Sequence, residues 1–172
     1  MSNNHVAYEE LYQFILACLR KVGVSSESAT CVAEGLATTS LFGIDSHGIK
    51  LLPHYVRAAK NGRINLNPQY QFTLKSHCAG VLDADHAFGH HAGTVAMNKA
   101  LQLAKEFGLG AISVANSSHY GAAGFFAIKA AYQDMIGLSF THADSLMLSA
   151  NGKRPFFGTN PISFCAPVEG EE

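Results

Sequence analysis

The chain has 172 residues, enough for one domain or two small ones to bury a hydrophobic core. Its formal net charge is −1, from 12 basic and 13 acidic side chains, which gives no electrostatic reason to bind nucleic acid or an anionic membrane. No apolar run approaches the length of a membrane span, and the first residues lack the pattern of a secretory signal. The four scattered cysteines contain no Cys-x-x-Cys pair, which favours free thiols in the cytoplasm.

The first third of the chain has the pattern of a helical layer, over residues 1–66. Apolar residues recur at helical spacing from Ala7 to Val22, and the polar residues from Ser25 predict the start of a second helix. A third helical stretch is predicted to follow Ser46, to bend or stop near Pro53, and to resume as far as Gly62.

From residue 67 to residue 172 the pattern changes to alternating strands and helices. The spacing of apolar residues predicts five strands, at 69–75, 79–82, 110–115, 136–141 and 162–166. Two helices are predicted between them, at 90–107 and 122–133. This order indicates an α/β fold with a mixed sheet, in which ligands gather where strands end.

Two histidines occur in matching local contexts. His47 and His119 each lie where a serine-containing turn meets a glycine, before a predicted helix. Imidazole titrates near neutral pH and can exchange a proton with a small ligand, so proton transfer is the first functional hypothesis. The alternative for His47 is an exposed histidine beside a capping serine. The alternative for His119 is a solvated histidine at a tight contact between helix and sheet.

A ligand site is also predicted beside His47. If Ser46 caps the third helix, the unpaired backbone N–H groups there suit a carboxylate. Lys50 follows in the next turn and would supply a positive charge. An imidazole, an ammonium group and a helix start together would suit a substrate with a carboxylate beside a carbonyl group.

A metal site is the weaker interpretation of another group of polar residues. Several acids and histidines lie close together in the sequence, and a solvated turn explains them better than a ligand set does: Asp83, Asp85, His86, His90 and His91. The motif His-Glu-x-x-His is absent, as are both glycine-rich phosphate loops and the Gly-x-Ser-x-Gly elbow of hydrolases. We therefore predict no metal, while a metal-dependent lyase remains the alternative.

Three parts of the sequence resemble the type-2 malate/L-lactate dehydrogenase family. They lie within 43–55, 104–121 and 158–167, in the family's order, and they extend over nearly the whole chain. The resemblance implies a non-Rossmann fold and a homodimer that transfers a hydride between NAD or NADP and a 2-keto or 2-hydroxy acid. It also implies that 1–66 binds substrate and forms the dimer, and that 67–172 begins the cofactor-binding α/β domain.

The resemblance further assigns roles to single residues. It implies that His119 or His47 is the acid–base, with Ser46 beside His47 and with His119 ahead where the substrate is a hydroxy acid. It also places Ala143 near the cofactor, together with the turn of Gly158, Thr159 and Asn160.

The sequence departs from the family pattern at three points. Leu51 stands where many members have an arginine for the substrate carboxylate, so Lys50 is the nearest cation. Ala143 stands where some relatives have a cofactor-binding serine. Family chains are roughly twice as long, so we expect a truncated fold that is inactive by itself, with a non-catalytic remnant or binding subunit as the alternative. The sequence predicts a 2-hydroxy or 2-keto acid as the substrate and NAD or NADP as the cofactor, without distinguishing within either pair.

Overall fold

The computed structural model describes residues 5–170, so residues 1–4 and 171–172, the outer ends of the two predicted domains, lie outside the described part. The helical part has three α-helices and one short 3₁₀ turn. They are α1 (Tyr8–Lys21), α2 (Ser26–Leu41), the 3₁₀ turn (Ile49–Leu51) and α3 (Leu52–Lys60). The predicted helical layer is therefore present, with its ends within a few residues of the predicted ones.

The start of the third helical stretch differs from the prediction. The Ser40 hydroxyl, not that of Ser46, accepts the Ile49 N–H at 2.9 Å, so Ser46 is not the cap. Pro53 lies in the first turn of α3, where its missing N–H is not needed. The first part of the predicted stretch is thus a 3₁₀ turn, and α3 begins at Leu52, next to the proline at which the prediction placed an interruption.

A three-stranded mixed sheet follows the helices. The strands are β1 (Gln71–Ser76), β2 (Ala79–Ala87) and β3 (Ala111–Ser117). Strand β2 pairs antiparallel with β1 and parallel with β3, and α4 (Gly89–Phe107) makes the crossover between the parallel pair. The predicted mixed α/β architecture is confirmed.

The stretch that was predicted to be a turn, after residue 82, is instead part of β2. Asp85 and His86 both have left-handed backbone conformations, with φ of 49° and 57°. The pairing of β2 with β3 shifts register between Asp83 and Ala87, which is how the strand absorbs this irregularity.

The core of the helical layer includes a residue from the sheet region. Phe88, just before α4, is fully buried among side chains of α1, α2 and α3, and α4 packs on α2. This packing joins the helices and the three-stranded sheet into one compact unit, which includes the described residues 5–122, and the described residues 123–170 belong to a second. The predicted division between residues 66 and 67 coincides with the change from helices to strands, and as a domain boundary it stays a prediction.

The second unit contains a helix and two pairs of strands. Helix α5 (Gly124–Ala131) packs on the antiparallel pair β4 (Gly137–Phe140) and β7 (Ile162–Cys165). The short strands β5 (Met147–Leu148) and β6 (Pro155–Phe157), which were not predicted, also pair antiparallel. One face of the β4–β7 pair consists of apolar side chains that are more than half exposed: Leu138, Phe140, Ile162 and Phe164. No helix within residues 5–170 has both the length and the apolar character needed to cross a membrane.

Two neighbouring histidines of α4 are buried in different surroundings. The His90 ring is fully buried between Gly35 and Gly121, where an added Cβ at either glycine would overlap the ring. His91 instead makes a 2.8 Å hydrogen bond through Nδ1 to the hydroxyl of Ser28. Because the two rings occupy separate places, and because residues 5–170 contain no group of three or more suitable ligands, the alternative metal site has no structural support.

The helical core gives a stability prediction. Leu36 of α2 is fully buried, whereas Leu41, at the end of the same helix, is 66% exposed. We expect Leu36→Ala to lower the free energy of unfolding by about 2 to 5 kcal/mol, because it removes buried methyl groups and leaves a cavity. Urea unfolding followed by circular dichroism would measure this loss. The matched control Leu41→Ala should change stability by less than about 0.5 kcal/mol, and equal effects of the two variants would contradict the assigned core.

Burial of His90 predicts that acid destabilises the fold. Burial lowers the pKa of His90 to about 3, with His119 and His47 adding to the shift, whereas its ordinary pKa is 6.5. Below pH 6.5 the unfolded chain therefore binds a proton at His90 that the folded chain does not bind. The free energy of unfolding is therefore highest above that pH and decreases as the pH falls toward 3. Between about pH 7 and pH 5 the expected loss is on the order of 2 kcal/mol.

Urea unfolding at the two pH values would measure this loss. Burial lowers the pKa of His91 as well, so its contribution has the same sign. The variant His90→Asn should reduce the loss, whereas His77→Asn, at an exposed histidine in the β1–β2 turn, should leave it unchanged. Equal stability of the unsubstituted protein at both pH values would show that His90 is not held neutral.

Candidate functional site

The two histidines singled out by their sequence context lie side by side in the first compact unit. The centroids of the His47 and His119 rings are 5.8 Å apart, and the ring planes differ by 21°, so the rings are stacked. His47 comes from the turn before the 3₁₀ segment and His119 from the loop after β3. The fold thus brings together two imidazoles that are far apart in the sequence, and a small ligand could contact both.

Ser46 contacts the His47 ring directly. Its hydroxyl lies 2.9 Å from Nδ1 of His47. A hydroxyl group can donate or accept a hydrogen bond, so this contact is compatible with either protonation state of the ring. His47 is half-buried and Ser46 is exposed, which leaves the pair open to solvent on one side. Ser46 therefore belongs to the histidine pair, although it does not cap the helix.

Tyr55 is a member of this site that the sequence did not indicate as functional. Its hydroxyl oxygen lies 2.7 Å from Nδ1 of His119, and only 1% of the residue is exposed. Burial raises the pKa of Tyr55 well above its ordinary value. A signal was available in the sequence, because Tyr55 lies on the apolar face of α3 with Leu52 and Ala59, and most buried phenols have a hydrogen-bonding partner.

His90 lies beneath the same group of rings. Its ring meets that of Tyr55 edge to face, with centroids 5.4 Å apart. In the sequence, His90 was assigned to a solvated turn, with a metal ligand as the alternative. The missed signal was its place at the start of the predicted helix that contains the buried Ala92. Because burial keeps His90 neutral, it does not place a second charge beside the two candidate catalytic histidines.

Lys50, the predicted substrate cation, is exposed on the 3₁₀ turn. Its ammonium nitrogen lies 4.0 Å from a carboxylate oxygen of Asp45, and the two side chains are 70% and 68% exposed. Such a surface ion pair contributes little to stability, so Lys50 can exchange this partner for another carboxylate at small cost.

The predicted cofactor residues lie in two segments of the second compact unit that contact each other. The Ala143 N–H donates a hydrogen bond to Oδ1 of Asn160 at 2.9 Å. Gly158 approaches the Ala143 carbonyl so closely that an added Cβ would overlap it. Thr159 and Asn160 are exposed, so the turn presents a hydroxyl, an amide group and backbone atoms to solvent. Hydrogen-bonding groups of this kind fit the amide and phosphate groups of a dinucleotide.

Known proteins match this chain over nearly its whole length. The family model for malate/L-lactate dehydrogenase matches residues 6–172. Malate dehydrogenase of Pyrococcus abyssi is 39% identical over 163 residues, which are 95% of this chain and 45% of that protein. The solved structure of malate dehydrogenase from Pyrococcus horikoshii OT3 superposes with a TM-score of 0.94 at 35% identity, and the match covers 98% of this chain and 48% of that one.

Other relatives are named for different substrates and cofactors. Ureidoglycolate dehydrogenase (NAD(+)) of Escherichia coli K12 is 32% identical, with 97% of this chain and 48% of that protein covered. The (2R)-3-sulfolactate dehydrogenase (NADP(+)) of Chromohalobacter salexigens is also 32% identical, with 97% and 50% covered. The chain thus spans about half the length of these relatives. The extent of the match and the shared fold show that the chain belongs to the malate/L-lactate dehydrogenase family.

Proposed function

We propose that this chain is the part of a nicotinamide-dependent dehydrogenase that supplies the proton-transfer residues for a 2-hydroxy or 2-keto acid substrate. The observation that carries the proposal is the stacking of His47 and His119 at 5.8 Å, each with a hydroxyl group at its Nδ1. Oxidation of a 2-hydroxy acid removes a hydride from the carbon and a proton from its hydroxyl group. A histidine pair of this kind suits the second of these steps.

The residues of the chain have separate roles in the proposed reaction. His119 and His47 bind the substrate hydroxyl oxygen and move its proton, with Ser46 holding the His47 ring. Lys50, three residues after His47, attracts the substrate carboxylate. A single ammonium group holds a carboxylate without the fixed bidentate geometry of an arginine, so we expect Lys50 to tolerate acids of different shapes.

The cofactor in this proposal is NAD or NADP, as in the names of the relatives. The turn formed by Ala143 and the segment Gly158–Asn160 would hold it through backbone, hydroxyl and amide groups. When bound, the nicotinamide ring accepts or supplies the hydride. Some relatives are named for NAD(+) and others for NADP(+), so the activity assay uses both cofactors.

A non-catalytic role, as a binding subunit, is the second candidate. The chain spans about half the length of these relatives, and a complete substrate and cofactor site in those proteins can draw on residues from the other half. From the family resemblance we also propose a homodimer, which light scattering of the purified protein would test. The four scattered cysteines lead us to propose a cytoplasmic location.

Substitution of either histidine should nearly abolish turnover. The assay uses the complete natural polypeptide that carries this chain, at whatever length the cell makes it. It follows reduced nicotinamide at its absorbance maximum with a panel of 2-hydroxy and 2-keto acids. We expect His47→Gln and His119→Gln each to lower kcat by about 100-fold to 10,000-fold, because each removes a group that contacts the transferred proton.

The matched control is His77→Gln, which replaces an exposed histidine in the β1–β2 turn and should keep normal turnover. Circular dichroism should show the same helix content for all three variants. Normal turnover of both His47→Gln and His119→Gln would remove the histidine pair from the mechanism. Absence of dehydrogenase activity from the unsubstituted polypeptide with every acid and both cofactors would support the binding-subunit candidate.

A further inference from the structure

The two stacked histidines differ in the chemical nature of their hydrogen-bonding partners. Nδ1 of His47 faces one hydroxyl group, that of Ser46, which can reverse its role as donor or acceptor. Nδ1 of His119 faces two groups, the Tyr55 hydroxyl at 2.7 Å and the backbone N–H of Gly121 at 3.4 Å. A backbone N–H can only donate, so the two rings do not have the same freedom to gain and lose a proton.

The Tyr55 hydroxyl is also a donor in this arrangement. Tyr55 is almost fully buried, and among residues 5–170 its one hydrogen-bonding partner is Nδ1 of His119. If the phenol accepted a bond from that ring, its own O–H would be buried without an acceptor, which carries a large penalty. Burial raises the pKa of Tyr55, so the phenol keeps its proton at physiological pH.

Two donors at one imidazole nitrogen determine the tautomer. The lone pair on Nδ1 of His119 must point toward Tyr55 and Gly121, so the proton of the neutral ring is carried by Nε2. A proton on Nδ1 would point at the hydroxyl hydrogen of Tyr55 and the N–H of Gly121, which are both donors. The ring of His119 is therefore suited to donate a hydrogen bond through Nε2 and poorly suited to collect a proton at Nδ1.

We propose that Tyr55 is a positioning residue that holds His119 as its Nε2–H tautomer, so that His119 donates a hydrogen bond to the substrate oxygen while His47 carries the transferred proton. This division rests on the proposed dehydrogenase function and refines it. In the oxidation direction, the substrate O–H bond breaks, its proton passes to the imidazole of His47, and Nε2–H of His119 stabilises the developing negative charge on oxygen. In the reduction direction, the protonated His47 returns the proton to the oxygen.

The environment of His47 is compatible with this role. His119 is stacked on it, His90 lies within electrostatic reach, and Asp45 and Lys50 flank it on its own turn. His90 is held neutral by burial and the proposal holds His119 neutral, so a proton on His47 meets no second imidazolium in the cluster. The Ser46 hydroxyl accepts from Nδ1–H when His47 is charged and donates to Nδ1 when the proton has left that nitrogen.

Nitrogen-15 NMR of the 172-residue chain tests the tautomer without relying on activity. Long-range proton–nitrogen correlation spectra of histidine-labelled protein distinguish Nε2–H from Nδ1–H, and the signals of His119 are assigned by their loss in His119→Gln. We expect His119 to be predominantly the Nε2–H form. Tyr55→Phe should lower the ratio of Nε2–H to Nδ1–H about fivefold, the effect of one lost hydrogen bond.

The matched control is Tyr70→Phe. Tyr70 also has a buried hydroxyl beside a histidine ring, that of His91, but within residues 5–170 this hydroxyl makes no hydrogen bond. Its removal should leave the His119 signals unchanged. A predominant Nδ1–H form of His119 in the unsubstituted chain would overturn the proposal, and this spectrum decides the matter even if Tyr55→Phe does not fold. An unchanged tautomer ratio in a folded Tyr55→Phe variant would also overturn the role of Tyr55.

The pH dependence of kcat in the complete natural polypeptide tests the division of roles. For hydroxy acid oxidation, the plot of kcat against pH should have a limb along which kcat changes with pH. This limb should disappear in His47→Gln and persist, at lower kcat, in Tyr55→Phe. Persistence of the limb in His47→Gln together with its loss in His119→Gln would overturn the division. A polypeptide without dehydrogenase activity would instead remove the proposed function and, with it, the role of His47, while the NMR result would still decide the tautomer.

Discussion

The contact of Tyr55 with the rings of Phe88, His90 and His119 is the interaction on which the arrangement of the site depends. Tyr55 belongs to α3, Phe88 immediately precedes α4, His90 lies in the first turn of α4, and His119 belongs to the loop after β3. These elements are distant in the sequence, and their rings meet around one buried phenol. The apolar part of Tyr55 packs in the core, while its hydroxyl holds the candidate catalytic ring. Stability of the helical layer and orientation of His119 therefore depend on the same side chain.

Local hydrogen bonding gives the two candidate catalytic histidines different properties although their sequence contexts match. Both follow a serine and precede a glycine or a tyrosine–glycine pair. In the structure, the serine before His47 contacts the imidazole, whereas Ser118, before His119, donates to the carbonyl oxygen of Ala87 and accepts the Gly89 N–H. Ser118 thus fixes the start of α4, and the imidazole that follows it is held by Tyr55 instead. The two matching motifs therefore place their imidazole rings against different partners.

Much of the fold could be predicted because apolar periodicity is a local property. The helices α1, α2 and α4 follow directly from residues spaced for one buried face, and the strands of the mixed sheet follow from alternation or short apolar runs. The end of β2 was missed because its acids and histidine are typical of turns, whereas pairing with β3 extends the strand through two left-handed residues. Strands β5 and β6 were missed because two or three residues carry no periodic signal.

The candidate site could be predicted only in part, for a related reason. The polar residues His47 and His119 stand out in a sequence because turns rich in serine and glycine seldom need a histidine. Tyr55 and His90 do not stand out, because each lies on a helix face that also fills the core, and their roles depend on which elements pack together. The exchange of a Ser46 cap for a Ser40 cap was likewise invisible, since Ser40 reaches Ile49 from the end of the preceding helix.

The confinement of the His90 ring between two glycines restricts how this part of the protein can vary during evolution. Gly35 lies on α2 and Gly121 in the loop beyond His119, and each leaves room for the imidazole only because it lacks a side chain. Gly121 also has a φ of 78°, so a larger residue there is disfavoured by its backbone as well. A bulkier residue at position 35 becomes acceptable only after position 90 has become smaller. Substitutions at these two positions should therefore occur in a fixed historical order, the reduction before the enlargement.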